Sequence, residues 1–236
     1  ALQSKDSVYE VGGGRVDAYE AVHAVASFKV ADETVTLFKN EKEKSIKEIT
    51  GALSFGTFYA TENAIEAMKE IDIENYSSQD QTYDVKVNYQ AIKGSLNAVD
   101  NGVVLNTASS VTVEAGGKES VSAQITIPAS AKNGTYEGYV TFTNKENPTD
   151  TYQIPFAIRK VKEGVENINM VNTFTTLQGS GGNPYLSGTF QLNSHMKSID
   201  LFIKNASTGE ELGFVGNFDG AWLSENKPIS FNMNGN

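Results

Sequence analysis

The feature that most constrains the fold is repeated along the chain: short runs of alternating apolar and polar residues, each closed by a turn signal. Thr82 to Tyr89 sets Tyr83, Val85, Val87 and Tyr89 on one side and Asp84, Lys86 and Asn88 on the other, the period-two pattern of a half-buried antiparallel strand. Thr34 to Phe38, Gly51 to Tyr59, Ser110 to Val113, Ser120 to Ile127, Thr135 to Thr143 and Tyr152 to Ile158 share this character. Residues 62–70 contain an apolar cluster that suits a short helix, but Glu70 to Asn75 alternates cleanly and reads as strand. Asp100-Asn101-Gly102, Ala115-Gly116-Gly117 and Asn133-Gly134 supply turns, and Pro128 ends the strand before it because proline cannot donate to a ladder. Strands recurring at roughly ten-residue intervals are the signature of a β-sandwich.

Lys39 to Glu48 is almost wholly charged or polar with mixed sign, and reads as a solvated hairpin tip or loop, with a docking surface as the other reading. Arg159 to Glu166 reads as a linker. A second run of strands is expected from near Met170. Leu186 to Leu192, Ser198 to Lys204 and Leu212 to Phe218 are its clearest members, with Gly179 to Pro184 a flexible loop between them. Three or four strands are few for an independent sandwich, so this second module is expected to be truncated at Asn236.

Composition narrows the function. With 236 residues the chain has room for one large domain or two smaller ones. The absence of cysteine removes disulfides, thiolate metal sites and a cysteine nucleophile. A net charge of −10 lacks the basic footprint of general nucleic-acid binding, and no apolar run is long enough to cross a bilayer. No signal-peptide pattern opens the chain and Ala1 is not an initiator methionine, so a processed chain or a fragment is expected.

Near the start, Gly12-Gly13-Gly14 forms a turn that no strand interior favours, and the pattern then becomes helical. Val16, Tyr19, Val22 and Ala26 fall on one face, with Asp17 in the first turn. Residues 12–22 resemble the Gly-Ala-Gly-x-Val-Asp-Ala-x-x-Ala-Val segment that closes the catalytic domain of subtilisin-like serine proteases, departing from it at Gly13. Leu53-Ser54-Phe55-Gly56 resembles the opening of the fibronectin-type-III-like domain that follows the catalytic domain in cell-envelope subtilases of the lactocepin and Vpr type. Gly134-Thr135-Tyr136-Glu137-Gly138-Tyr139-Val140 resembles that domain's Gly-x-Tyr-x-Gly-x-Val strand, preceded by Ile127-Pro128.

The resemblance implies three parts: residues 1–26, the last helix segment of a catalytic domain; 27–160, a fibronectin/immunoglobulin-like β-sandwich; and 165–236, a second and truncated β-sandwich. The expected fold is thus mostly β with a short N-terminal helix. The family's serine, histidine and aspartate motifs are absent, so no catalytic residue is carried over and this segment is not expected to be an enzyme. The implied function is that of a non-catalytic accessory region of a secreted or cell-wall-associated, Gram-positive subtilisin-like endopeptidase. Its expected partners are the catalytic domain of the same parent chain and protein substrate or cell-wall material.

No cofactor or metal is expected. His23 and His195 are far apart and read as surface histidines, and no calcium loop of the Asp-x-Asp-x-Asp-Gly kind occurs. Asn75-Tyr76-Ser77, Asn133-Gly134-Thr135 and Asn205-Ala206-Ser207 fit the glycosylation sequon and read as accidental in a bacterial protein. The candidate binding residues are Trp222 and Phe218. A lone tryptophan beside a loop stacks on a sugar ring or a peptide side chain, or serves as a core or domain-interface residue. The first possibility defines the rival reading, a free-standing cell-surface adhesin or carbohydrate-binding sandwich.

Overall fold

The computed structural model describes residues 6–39, 42–92, 94–171 and 185–234. Two short helices, α1 (Val8–Val11) and α2 (Ala18–His23), precede ten strands: β1 (Ala26–Lys39), β2 (Lys42–Thr50), β3 (Leu53–Tyr59), β4 (Ile65–Asn75), β5 (Gln81–Gln90), β6 (Val104–Asn106), β7 (Ser110–Val113), β8 (Lys118–Ile127), β9 (Gly134–Asn144) and β10 (Thr151–Val161). Five more follow: β11 (Val165–Met170), β12 (Tyr185–Leu192), β13 (Ser198–Lys204), β14 (Glu211–Asp219) and β15 (Pro228–Asn234). The chain divides into two compact units, residues 1–160 and 161–236.

The first unit is a β-sandwich. One sheet has the order β2-β1-β4-β8-β6 and the other β3-β10-β9-β5-β7. Alternation sends Ile71, Ile73, Val121, Ala123, Ile125 and Ile127 inward from the first, to meet Tyr83, Val85, Tyr136, Phe142, Phe156 and Ile158 from the second. Full burial of each large apolar side chain stabilises by about 1.5–3 kcal/mol. Phe28 joins the layers, its ring centroid 5.3, 4.8 and 4.3 Å from those of Tyr83, Phe142 and Tyr152.

Two devices shape β9. Tyr136 Oη donates to Lys132 O at 2.6 Å, fixing the corner where the chain enters the strand, as the tyrosine corner of immunoglobulin-like sandwiches does. A Cβ on Gly138 would lie 2.2 Å from Asn88 O and 2.8 Å from the Phe156 ring, so only glycine lets β5 and Phe156 approach this closely. Behind β10, the ammonium of Lys160, a residue 1% exposed, donates to Pro128 O, Ala129 O and Ala131 O at 3.0, 2.7 and 2.9 Å. Burial lowers its pKa.

Several expectations need correction. Within the charged stretch 39–48, Lys39 ends β1 and residues 42–48 belong to β2, which pairs with β1 at the edge of the sheet. Residues 65–70 are strand, paired with β8, and the helical alternative fails. The strand at 34–38 begins earlier, at Ala26, so Ala26 belongs to β1 and not to the helical face. The linker is shorter than Arg159 to Glu166, because β10 runs to Val161 and β11 starts at Val165.

The second unit contains a three-stranded sheet, β11-β12-β15, and a two-stranded one, β13-β14. Its small core holds Phe190, Leu192, Ile199 and Phe231, with Leu201 and Phe218 packed against it. The expected loop at Gly179 to Pro184 lies outside the described residues.

Candidate functional site

Residues 7–14 form a strap across the outer face of the β10-β9-β5 sheet. Ser7 caps α1 by accepting from Tyr9 N, and its hydroxyl donates to Glu137 Oε2 at 2.6 Å. Val8 packs with Tyr139 and Ala157 in a cluster separate from the main core. Gly12 ends α1 at φ +54°, its N–H donating to Val8 O and its carbonyl accepting from Tyr139 Oη at 3.1 Å. Gly13 then passes over Gln153 and Pro155 of β10. The glycine run thus lays the chain against a sheet face.

The strap buries a carboxylate. Glu137 has no exposed surface, and its Oε1 has no hydrogen-bond partner. Gln90, directly opposite it on β5, leaves its own Oε1 unpartnered in the same way. Burial and the charge of Glu137 raise the pKa of Tyr9, which Arg159 partly counteracts.

Beyond the strap the environment reverses. Asp17 caps α2, accepting from Tyr19 N and Glu20 N at 3.1 Å each, yet the helix buries no residue. Val16, Tyr19 and Val22 are 84%, 69% and 81% exposed. His23 stacks on Tyr19 at 4.2 Å, and its Nδ1 lies 2.8 Å from Tyr19 O. Of the expected apolar face, Tyr19 and Val22 lie on the helix while Val16 falls ahead of its cap, and all three face water.

The two residues singled out for binding separate. Phe218 packs with Phe190 and Phe231 at 5.4 and 5.9 Å and serves the core of the second unit. Trp222 is 86% exposed at the end of a 3-10 turn, Gly220–Trp222, so a core role for it is ruled out. That turn is pinned by Asp219, which accepts from Ala221 N at 3.0 Å, and by Gly220 N donating to Lys197 O at 3.0 Å. His195 is exposed, and no group of histidine and carboxylates suited to a metal occurs among the described residues.

The sequon at Asn75 is structural. Asn75 is 1% exposed, and its amide donates to Gln79 O, Val113 O and Glu114 O while its Oδ1 accepts from Ser77 N and Oγ. Sequence reading missed the Glu137 clasp, because a carboxylate at an outward strand position looks solvated until a segment 130 residues away covers it.

A family model described as the Fn3-like domain matches residues 57–157, from within β3 into β10. This stretch is an Fn3-like domain. No curated protein matches the chain. Among solved structures, a family 123 glycoside hydrolase from Clostridium perfringens is similar at TM-score 0.41 and 12% identity over 59% of this chain and 27% of that one. The secreted serine protease VesC from Vibrio cholerae is similar at TM-score 0.33 and 11% identity, over 77% and 42%. The CupB2 chaperone from Pseudomonas aeruginosa is similar at 0.30 and 8%, over 78% and 97%. Scores this low carry no inference about activity, and the chain spans about a quarter of the hydrolase.

Proposed function

We propose that this chain is a non-catalytic accessory region of a secreted subtilisin-like serine endopeptidase, joined to the C-terminal side of its catalytic domain. One observation carries the reading: a capped helix with Tyr19 and Val22 in water, Val16 equally exposed just ahead of its cap, connected by a docked glycine strap to an Fn3-like sandwich. Exposed apolar side chains grouped on one element mark an interaction surface. The resemblance of residues 12–22 to the last helix segment of subtilases names the surface they would meet. On this reading α2 belongs with the catalytic domain, the strap is the joint, and the sandwich spaces the enzyme from its surroundings and helps to position substrate.

The test compares unfolding of this chain with that of a protein carrying the sequence upstream of Ala1 in the parent. The reading expects a Gly-Thr-Ser-Met-Ala-x-Pro serine segment upstream, cooperative melting of the joined domains at a higher temperature, and no casein hydrolysis by this chain alone. Absence of the serine segment, or an unchanged, independent melt of the sandwich, overturns it. The 86% exposure of Trp222 favours one second reading, a cell-surface binding module with that residue at its site. Loss of glycan binding in a folded Trp222→Ala variant is its test.

A further inference from the structure

The β13–β14 hairpin has two unlike faces. Ile199 and Leu201 on β13, with Phe218 on β14, turn toward the core. The register places the opposite face in rungs: Asp200 with Asn217, Phe202 with Phe214, and Lys204 with Glu211. All six residues are exposed. Phe202 and Phe214 are 45% and 60% exposed, with centroids 5.4 Å apart and planes inclined at 61°, so each presents ring surface to water. On one side of this pair Asn217 Nδ2 hydrogen-bonds Asp200 Oδ1, and on the other an ammonium sits across from a carboxylate. Same-face residues along a strand are about 6.7 Å apart, so the rungs span about 13 Å.

We propose that this face is a glycan-binding strip, taking a short run of a neutral polysaccharide with a sugar ring on the phenylalanine pair and hydroxyls on the flanking rungs. The chemistry selects this occupant. Two acids against one base on the six positions disfavour phosphate-bearing lipid or nucleic acid. A wholly apolar partner would strand the carboxylates and the Asn217 amide without hydrogen bonds. A sugar pairs an apolar ring face with a rim of donors and acceptors, the arrangement that the aromatic rung between two polar rungs complements. The strip lies within the second unit and its success or failure leaves the peptidase reading untouched.

Isothermal titration of the full chain with cellohexaose, chitohexaose, xylohexaose and maltohexaose tests it. At least one is expected to bind. Phe202→Ala and Phe214→Ala are each expected to weaken that binding by about tenfold, roughly the loss of one stacking contact, with melting unchanged. Phe214→Trp, which offers a larger ring face, is expected to retain or tighten it. No binding by any of these glycans at millimolar concentration overturns the proposal, as does equal binding by both alanine variants. So does a result in which Phe214→Ala abolishes capture of unfolded casein or self-association by light scattering while no glycan binds, since the face then belongs to polypeptide.

Discussion

The Ser7–Glu137 clasp gives the sharpest test of how the strap is held. The Ser7 hydroxyl donates to Glu137 Oε2 at 2.6 Å, and the carboxylate is wholly buried with its other oxygen unpartnered. A hydrogen bond to a charged group contributes about 1.5–3 kcal/mol, and its loss here takes the Ser7 donor from a carboxylate whose other oxygen is already unpartnered. Ser7→Ala is therefore expected to destabilise the docked strap by about 2–3 kcal/mol. The loss has a ceiling. Once lifting the strap costs less than keeping a bare carboxylate dry, water enters and the penalty stops at the strap's own docking free energy. Glu137→Gln supplies the comparison, because a neutral amide turns the same contact into a bond contributing about 0.5–1.5 kcal/mol. Ser7→Ala in that background should cost about 1 kcal/mol, giving a coupling of roughly 1–2 kcal/mol in the double-mutant cycle. Urea unfolding of the four proteins at neutral pH measures the cycle. Exchange of the Gly12 amide, which donates to Val8 O at 2.8 Å, reports strap docking directly. Equal costs in the two backgrounds, within about 0.5 kcal/mol, refute the reasoning, as does unchanged protection at Gly12.

Other sites carry their own expectations. Lys160→Met strands the carbonyls of Ala129 and Ala131, at about 1–3 kcal/mol each, while removing a buried charge offsets part of that cost. A net loss of about 1–3 kcal/mol in chemical unfolding is expected, and a more stable variant would show the ammonium to be a net burden. Gly138→Ala drives a methyl into Asn88 O and the Phe156 ring, so a loss of at least about 3 kcal/mol or failure to fold is expected, read by melting temperature and expression yield. Burial pushes the Tyr83 hydroxyl up to about 12 and raises that of Tyr152 further. Both contributions are fully present below the unfolded tyrosine value of about 10 and are lost as pH rises through the folded values. The melting temperature should thus fall above pH ~10, with these tyrosines the last to show phenolate absorbance; a profile flat to pH ~12 contradicts this.

What the sequence revealed depended on whether the local pattern and the tertiary environment agreed. β5, β8, β9 and β10 alternate because one face meets the core, and they stand close to where the pattern put them. β2 hid behind its charges, since an edge strand needs few apolar side chains and gains from lysines. β15 opens with Pro228, and an edge position tolerates its missing N–H. α1 is four residues long, too short for any periodicity to register. Asp17 and the apolar positions of α2 were legible, but that the helix would bury nothing was not, because amphipathicity shows that a surface is wanted without saying where it is. Trp222 was equally ambiguous, since neighbours in sequence cannot tell an exposed tryptophan from a packed one. The Phe202–Phe214 pair needed the hairpin register, which two bulges shift away from simple counting.

The strap also fixes an order of events during synthesis. Its contacts reach 130 positions forward, from Ser7 to Glu137 and, through the Gly12 carbonyl, 127 positions to Tyr139. At about 5–20 residues per second, the strap waits roughly 7–26 seconds for the strand it clasps. Any domain ahead of it in a nascent chain has that interval to fold first. The sandwich then closes onto a segment made long before it, and seating of Ser7 against Glu137 marks the moment the strap is fixed.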